Sequence, residues 1–131
     1  MYFRIAGFVV ALSLVSGCGG PLGMIAGGKL AGSEAPFTDD RVPQENKVIA
    51  LETRPSDPYS VNIGTFVIDG RLYVDPAVER TWYQHMQENP DVRIRFDGED
   101  VVYTARAYPV EDASVLAKFE ADRVVLRLGP R

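Results

Sequence analysis

The N-terminus of this chain carries an apolar run, residues 5–15, followed closely by the only cysteine, Cys18. The run has 11 residues. It is too short to cross a bilayer as a helix, which takes about 20 residues, and it matches the apolar part of a secretory signal peptide. Exported proteins reach an oxidising compartment in which disulfides form, but a chain with a single cysteine cannot form a disulfide within itself. These features limit the folded part of the chain to a small body that is held together by packing alone.

The segment Leu14-Val15-Ser16-Gly17-Cys18 resembles the lipobox of bacterial lipoprotein precursors. In that family the chain is cut before the cysteine, whose sulfur carries a diacylglyceryl group. The resemblance implies a signal peptide over residues 1–17 and a membrane anchor on Cys18. Two alternatives stay open at this point: an ordinary secretory signal followed by an unmodified Cys18, and a short anchor that is not cleaved.

The residue after the cysteine is Gly19 and not an aspartate. By resemblance to Gram-negative lipoproteins, this implies transport to the periplasmic face of the outer membrane. In a Gram-positive cell the same signal would place the protein on the outer face of its single membrane. We therefore expect a protein of the cell envelope that is bound to a membrane by its lipid.

The charge of the chain is mildly acidic, with 14 Lys and Arg residues against 18 Asp and Glu residues. Removal of residues 1–17 would remove only Arg4 among the charged side chains, so the net charge would change from −4 to −5. Nucleic acid is an unfavourable partner for such a chain, because its phosphates would be repelled overall.

Residues 18–45 are predicted to be a lipidated, flexible tether, since glycines and prolines interrupt any regular hydrophobic period there. Four apolar residues are unusual for such a linker: Leu22, Met24, Ile25 and Leu30. The sequence leaves open whether they contact the membrane or the rest of the protein. The globular domain is predicted to comprise residues 46–131.

Within residues 46–131, runs of β-branched and aromatic residues predict six strands, over residues 47–52, 59–68, 71–74, 92–96, 100–108 and 123–128. Helical spacing and capping residues predict two short helices, over residues 76–89 and 113–121. Asp69-Gly70 and Asp97-Gly98 predict tight hairpin turns. This order predicts a mostly antiparallel α+β fold that curls into a barrel-like sheet and so hides its edges. A core of this size gives little net stability, so a homodimer that buries more apolar surface is an additional expectation.

The run Trp82-Tyr83-Gln84-His85-Met86-Gln87-Glu88-Asn89-Pro90, the strand after it and the later Ala105-Arg106-Ala107 carry a second resemblance. Together they resemble the split-barrel flavin-binding superfamily of pyridoxamine-phosphate-oxidase-like proteins, and especially its deazaflavin-dependent nitroreductase-type members. The final strand around residues 124–128 is also similar to the closing strand of that family. The resemblance implies a split barrel, with FMN or a deazaflavin as the cofactor that the family binds.

The same resemblance implies which residues would bind such a cofactor. Arg54 and Ser56 occupy the turn that contacts cofactor phosphate in the family, Arg93 would assist them, and Trp82 would stack on the flavin ring. The turn here departs from the Gly/Lys/Ser-rich pattern of the family, and Asp57 adds a negative charge to it. For this reason no cofactor is expected under the first hypothesis, although FMN or a deazaflavin belongs to the alternative.

Other candidate residues are better explained by structural roles. His85 is the only histidine, so a zinc site is not predicted, and no serine lies in a recognisable nucleophile turn. The strand arginines at positions 93, 95, 106 and 127 would either bind an anion or keep an exposed sheet face soluble. The sequence predicts no catalytic residue and no metal site.

Two functions follow from these observations. The first is an envelope lipoprotein whose small barrel-like domain has a binding or structural role without chemistry of its own, towards a ligand that the sequence does not identify. The alternative is a membrane-tethered oxidoreductase that depends on FMN or a deazaflavin, of the nitroreductase or quinone-reductase type.

Overall fold

A single curled sheet dominates the computed structural model, which describes residues 19–131. The signal peptide predicted for residues 1–17 and the predicted lipidation site Cys18 lie outside the described residues. Along the described chain the strands are β1 (Ser33–Pro36), β2 (Val48–Thr53), β3 (Tyr59–Gly64), β4 (Phe66–Ile68), β5 (Arg71–Val74), β6 (Asp91–Phe96), β7 (Val101–Pro109) and β8 (Leu126–Gly129). The helices are α1 (Thr81–Glu88) and α2 (Ala113–Leu116), and Asp39–Arg41 forms one 3-10 turn.

The strands lie in the order β3-β2-β6-β7-β8-β5-β4, and each neighbouring pair on this path is antiparallel. The two strands at the ends of the path, β3 and β4, are consecutive in the chain and only Thr65 separates them. Because one bent segment supplies both edges, the sheet has to curl round on itself. The prediction of a mostly antiparallel, barrel-like α+β fold with two short helices is confirmed.

The bend at Thr65 divides what the sequence predicted as one strand over residues 59–68. Gly64 predicts a bulge or a close backbone approach within this run, but the strand is interrupted one residue later, at Thr65. The buried Thr65 is fixed there because its amide and its hydroxyl both donate to the Lys47 carbonyl, at 2.9 and 2.6 Å. The hairpin turns were predicted correctly, since Gly70 and Gly98 both adopt positive φ, at 72° and 82°.

The core lies inside the curl of the sheet and follows the predicted alternation of strand β6. Val92, Ile94 and Phe96 are buried, whereas the arginines between them point to the outer face. The other buried apolar side chains of the same cluster come from β2, β5, β7 and β8, from Met86 of α1 and from Phe37.

Helix α1 begins at Thr81, later than the Asp75-Pro76 start that the sequence predicted. Asp75 does not cap a helix, because its carboxylate lies 3.5 Å from Nε of Arg123 and its carbonyl accepts from the same guanidinium. The helical spacing of Val78, Trp82, His85 and Met86 predicts one buried stripe, but Val78 is outside the helix and 59% exposed. The stripe therefore reduces to Trp82, His85 and Met86.

The N-terminal segment differs most from its prediction as a flexible tether over residues 18–45. Within its described part, residues 19–37 cross the outer face of the sheet from strand β3 to strand β7, and we call this stretch the strap. Gly27 pairs with Ser60 of β3, and β1 then runs parallel to residues 101–104 of β7. The folded body thus begins well before residue 46.

Buried side chains explain why the strap stays on the sheet. Leu30 packs with Ala50 and Val102 on the outer face. Phe37 enters the core, where its ring centroid lies 6.3 Å from that of Phe96 and 5.8 Å from that of Tyr103. Apolar residues that are unusual for a linker therefore belong in part to a second packing layer.

Candidate functional site

A groove of about 720 Å³ lies between strand β3 and the segment that leads from β5 into α1. Its apolar wall consists of half-buried side chains that also contact the core: Val61, Ile63 and Trp82, with Tyr59 beside them. Two half-buried aromatic rings among the lining residues, Tyr59 and Trp82, offer apolar surface to a ligand. The groove is therefore a candidate binding surface.

The rim of the groove is charged and includes both signs. Asp75 and Arg123 form an ion pair there, and Glu79 and Arg80 are exposed beside them. Gly23 and Met24 of the strap also line the groove. A ligand with an apolar body and a polar end would match this distribution.

Strand β3 offers backbone groups to the same groove. Ser60 exchanges two backbone hydrogen bonds with Gly27, at 2.8 and 2.9 Å, so its N–H and C=O point away from β2. Backbone direction alternates along a strand, so those of Asn62 and Gly64 point to the same side. Both residues line the groove. Their amides and carbonyls add polar groups beside the apolar side chains of Val61 and Ile63.

A second cluster surrounds His85, the buried residue one turn after Trp82 on α1. The Nδ1 atom of His85 lies 2.8 Å from the hydroxyl of Thr53, and its Nε2 lies 3.3 Å from Nη1 of Arg54. The ring of Tyr59 meets the imidazole edge-on, with the centroids 5.1 Å apart. The end of β2 and the middle of α1 are joined through this imidazole.

The hydrogen-bond partners of His85 determine which nitrogen of its ring carries the proton. An arginine can only donate, so Nε2 must accept, and the neutral ring then carries its proton on Nδ1 and donates it to Thr53. The Thr53 hydroxyl is left to donate to the Tyr59 carbonyl, at 3.3 Å. Burial, and secondarily the positive charge of Arg54, lower the pKa of His85 below its ordinary value of 6.5. The ring is therefore neutral at neutral pH.

Arg54 is positioned by an unusual backbone. It adopts φ +57°, in the left-handed region, just after β2 ends. Its Nε donates to the Asp57 carbonyl at 2.7 Å, and its Nη2 lies 3.2 Å from the Asp57 carboxylate. Ser56 is exposed in the same turn. The turn that was predicted to contact a cofactor phosphate thus holds an arginine that is already paired with a carboxylate.

Arg93 lies elsewhere, on the outer face of β6 beneath the strap. Its Nη1 donates to both carboxylate oxygens of Glu52 at 3.2 Å, and its Nε lies 3.4 Å from a carboxylate oxygen of Glu34. The structure brings Arg54 together with His85 but gives Arg54 and Arg93 no shared partner. Any phosphate at Arg93 would have to compete with Glu52, a buried carboxylate.

The remaining strand arginines have structural partners. Arg106 pairs with Asp91 across strands β6 and β7 at 2.8 Å, and Arg127 contacts Asp39 of the 3-10 turn at 2.8 Å. Arg95 donates to the Ala31 carbonyl of the strap at 2.7 Å. Their role is to join strands and to hold the N-terminal segment.

Sequence reasoning missed Glu52 and Thr53, both of which are buried at the end of β2. Their place in the sequence could have revealed them, because they directly continue an apolar strand-like run, Val48 to Leu51. Polar residues in such a position need hydrogen-bond partners when the run is buried. Their partners, Arg93 and His85, are more than 30 residues away in the chain, and the sequence does not show these pairings.

Within residues 19–131, no group of three or more His, Cys, Asp or Glu side chains is arranged to bind a metal ion. Of the helices in this described part, none combines the length and apolar character needed to cross a bilayer. Comparison with known proteins found no matching protein-family model and no matching curated protein.

Proposed function

We propose that this chain is a lipid-anchored protein of the bacterial cell envelope whose barrel-like domain binds a small molecule in the groove beside β3. The observation that carries the binding role is the pair of half-buried rings, Tyr59 and Trp82, on the groove wall. Core side chains hold this wall in place, so it is preformed, as is usual for small-molecule sites.

The anchor in this proposal rests on the sequence at Cys18 and on its resemblance to the lipobox. Two acyl chains bind a membrane stably, whereas a single chain binds only marginally. The proposed location is the periplasmic face of the outer membrane. A barrel domain that starts directly after the cysteine would then sit close to the lipid surface.

The test of the anchor is mass spectrometry of the full chain made in a lipoprotein-competent host. The expected N-terminal peptide begins at Cys18 and carries diacylglyceryl mass, and Cys18→Ser removes the lipid and moves most of the protein out of the membrane fraction. A mature chain with a free thiol, or with an intact N-terminus, would refute the anchor.

The test of the binding role uses Trp82, the only tryptophan in the chain. A ligand in the groove changes the fluorescence of Trp82 directly, so apolar molecules with one polar or charged end can be titrated. Val61→Asp should abolish the change by placing a charge on the apolar wall, whereas the exposed Lys118→Ala, a control outside the groove, should not. If no ligand of this class changes the fluorescence, the structural role remains.

The alternative is an FMN- or deazaflavin-dependent oxidoreductase of split-barrel type. It is favoured by one observation: the Arg54 side chain is partly exposed and Ser56 is exposed in the same turn, so both can be reached by a phosphate. FMN and a deazaflavin should be included in the same titration. Saturable binding that Arg54→Ala weakens would favour the alternative.

The homodimer expected from the small core stays a prediction, which light scattering tests.

A further inference from the structure

An apolar hairpin projects from the strap. Leu22 and Ile25 exchange two backbone hydrogen bonds, at 3.0 and 2.8 Å, and Gly23 turns the chain between them with φ +56°. The side chains at its tip are exposed: Leu22 by 66%, Met24 by 100% and Ile25 by 70%. Residues 19–28 carry no charge. Three exposed apolar side chains on one uncharged hairpin form a candidate interaction surface.

The hairpin is fixed to the domain. The amide and carbonyl of Gly27 bond to Ser60, and the Ser60 hydroxyl donates to the Gly28 carbonyl at 2.7 Å. The side-chain amide of Asn62 donates to the Gly23 carbonyl at 3.0 Å. Strand β3 thus holds the three apolar side chains outward, although the rest of the strap is packed on the sheet.

The base of the hairpin lies where the predicted anchor begins. The amide of Gly28 donates to the Gly19 carbonyl at 2.6 Å, which holds Gly19 beside the second arm of the hairpin. Cys18 directly precedes Gly19 in the chain. Acyl chains on its sulfur would therefore emerge at the hairpin base. A hairpin arm of four residues reaches only about 14 Å, at 3.4 Å per residue, so the tip of the hairpin lies within about that distance of its base.

We propose that the hairpin of residues 22–25 inserts into the interfacial region of the lipid bilayer and, with the lipid on Cys18, fixes the orientation of the domain on the membrane. This inference rests on the proposed acylation. The uncharged tip suits the boundary between headgroups and acyl chains, and the exposed Lys29 at the base suits lipid phosphates. Because Met24 also lines the groove, this orientation places the groove beside the lipid surface.

The experiment uses the full chain carrying Met24→Cys, made in a lipoprotein-competent host and reconstituted in vesicles of phosphatidylethanolamine and phosphatidylglycerol. The acylated sulfur of Cys18 does not react, so an environment-sensitive dye labels only the introduced thiol. Met24 is fully exposed, so the substitution leaves the fold unchanged. Glu111→Cys, in the exposed connection between β7 and α2, is the matched control.

The expected result is that the dye at position 24 is quenched by nitroxide lipids and shielded from aqueous iodide, whereas the dye at position 111 shows the reverse. Equal access of iodide to both positions, in a chain held on the vesicle by its lipid, overturns the inference and leaves the anchor intact. Shielding from iodide without quenching by nitroxide lipids also overturns it, since a protein surface or a second copy would then cover the hairpin.

The Cys18→Ser chain, which cannot carry the lipid, distinguishes failure of the proposed anchor from failure of the proposed hairpin insertion. This chain should still partition weakly onto the same vesicles. Combining Leu22→Ser, Met24→Ser and Ile25→Ser should lower the partition coefficient by about tenfold or more, since each buried apolar side chain contributes to transfer. If the Cys18→Ser chain does not bind vesicles at all, or if the three substitutions change nothing, the hairpin does not contact lipid.

Discussion

The carboxylate of Glu52 accepts hydrogen bonds both from the sheet and from the strap that covers it: from Nη1 of Arg93 at 3.2 Å and from the amide of Leu30 at 2.7 Å. The exposed fractions of the Glu52 and Arg93 side chains are only 3% and 12%. One buried charge pair on facing residues of β2 and β6 therefore binds the strap to the sheet. This arrangement explains why a segment so rich in glycine and proline is ordered.

Glu52→Ala should destabilise the protein strongly, because it leaves the Arg93 guanidinium buried without its main partner. Removal of one member of a buried pair typically costs about 3–5 kcal/mol of unfolding free energy. Urea unfolding measures the loss. The matched control is Glu34→Ala, which removes the other carboxylate near Arg93 but is 59% exposed. Exposed pairs contribute about 0–1 kcal/mol, so equal losses in the two variants would contradict the assigned role of Glu52.

The stability of the protein should fall as the pH drops below 6.5, the ordinary pKa of histidine. Burial and the Arg54 charge lower the pKa of His85 in the folded state, so the unfolded chain binds a proton first. The stabilisation is fully present above pH 6.5 and is lost progressively towards the lower pKa of the folded state. Charges near the ring include Asp57 and Glu88, which oppose this shift less strongly.

The measurement is the urea midpoint at intervals between about pH 7.5 and pH 5.5, where histidine is the side chain that titrates. His85 is the only histidine, so His85→Gln should remove most of the slope in this range whatever its own stability. A wild-type protein whose stability is constant, or rises, as the pH falls would show that the imidazole is not held neutral by its surroundings.

Gly27→Ala should release the hairpin of residues 22–25 from strand β3. A β-carbon on Gly27 would overlap the Gly20 carbonyl and lie 2.7 Å from the nitrogen of Pro21, so the two arms would have to separate. Crowding of this kind typically costs about 1–3 kcal/mol. The neighbouring Gly28→Ala is a close control, because its β-carbon would meet nothing nearer than 3.7 Å.

Hydrogen exchange reports this release, since the amides of Gly27 and Ser60 bond to each other's carbonyls across the junction. Both should lose protection in Gly27→Ala and keep it in Gly28→Ala. If the two variants behave alike, the close approach of the arms is not what holds the hairpin in place.

How far the fold could be predicted depended on the range of the interactions. The alternation of Val92, Ile94 and Phe96 and the turns at Gly70 and Gly98 are local signals, and they predicted the strands and hairpins correctly. The antiparallel, barrel-like α+β fold followed from their order.

The strap and the site depend on contacts between residues far apart in the chain, which local patterns do not contain. Glycines and prolines in residues 18–45 predict a linker by composition, but the order there comes from Leu30, Phe37 and the pairing of β1 with β7. Similarly, Arg93 matched a binding residue by type, whereas its partner Glu52 is visible only once β2 and β6 are paired. Trp82 does line a groove, but its neighbours there could not be read from the sequence.

The strap makes a last prediction, which concerns where the folding unit begins. A chain that starts at residue 46 should lose cooperative unfolding, because it lacks the Phe37 ring beside Phe96 and Tyr103 and leaves the Arg93 side chain uncovered. A chain that starts at Gly19 should unfold at the same urea concentration as the mature protein. Circular dichroism and Trp82 fluorescence measure both transitions.

A single substitution separates this effect from the shortening of the chain. Phe37→Ala in the otherwise intact protein should cost about 3–5 kcal/mol of unfolding free energy, the usual loss for a buried phenylalanine. Phe66→Ala is the control, since Phe66 is on the exposed edge strand β4 and touches mainly Phe119. If the segment before residue 46 were only a linker, Phe37→Ala would be the milder of the two, and the chain from residue 46 would be as stable as the chain from Gly19.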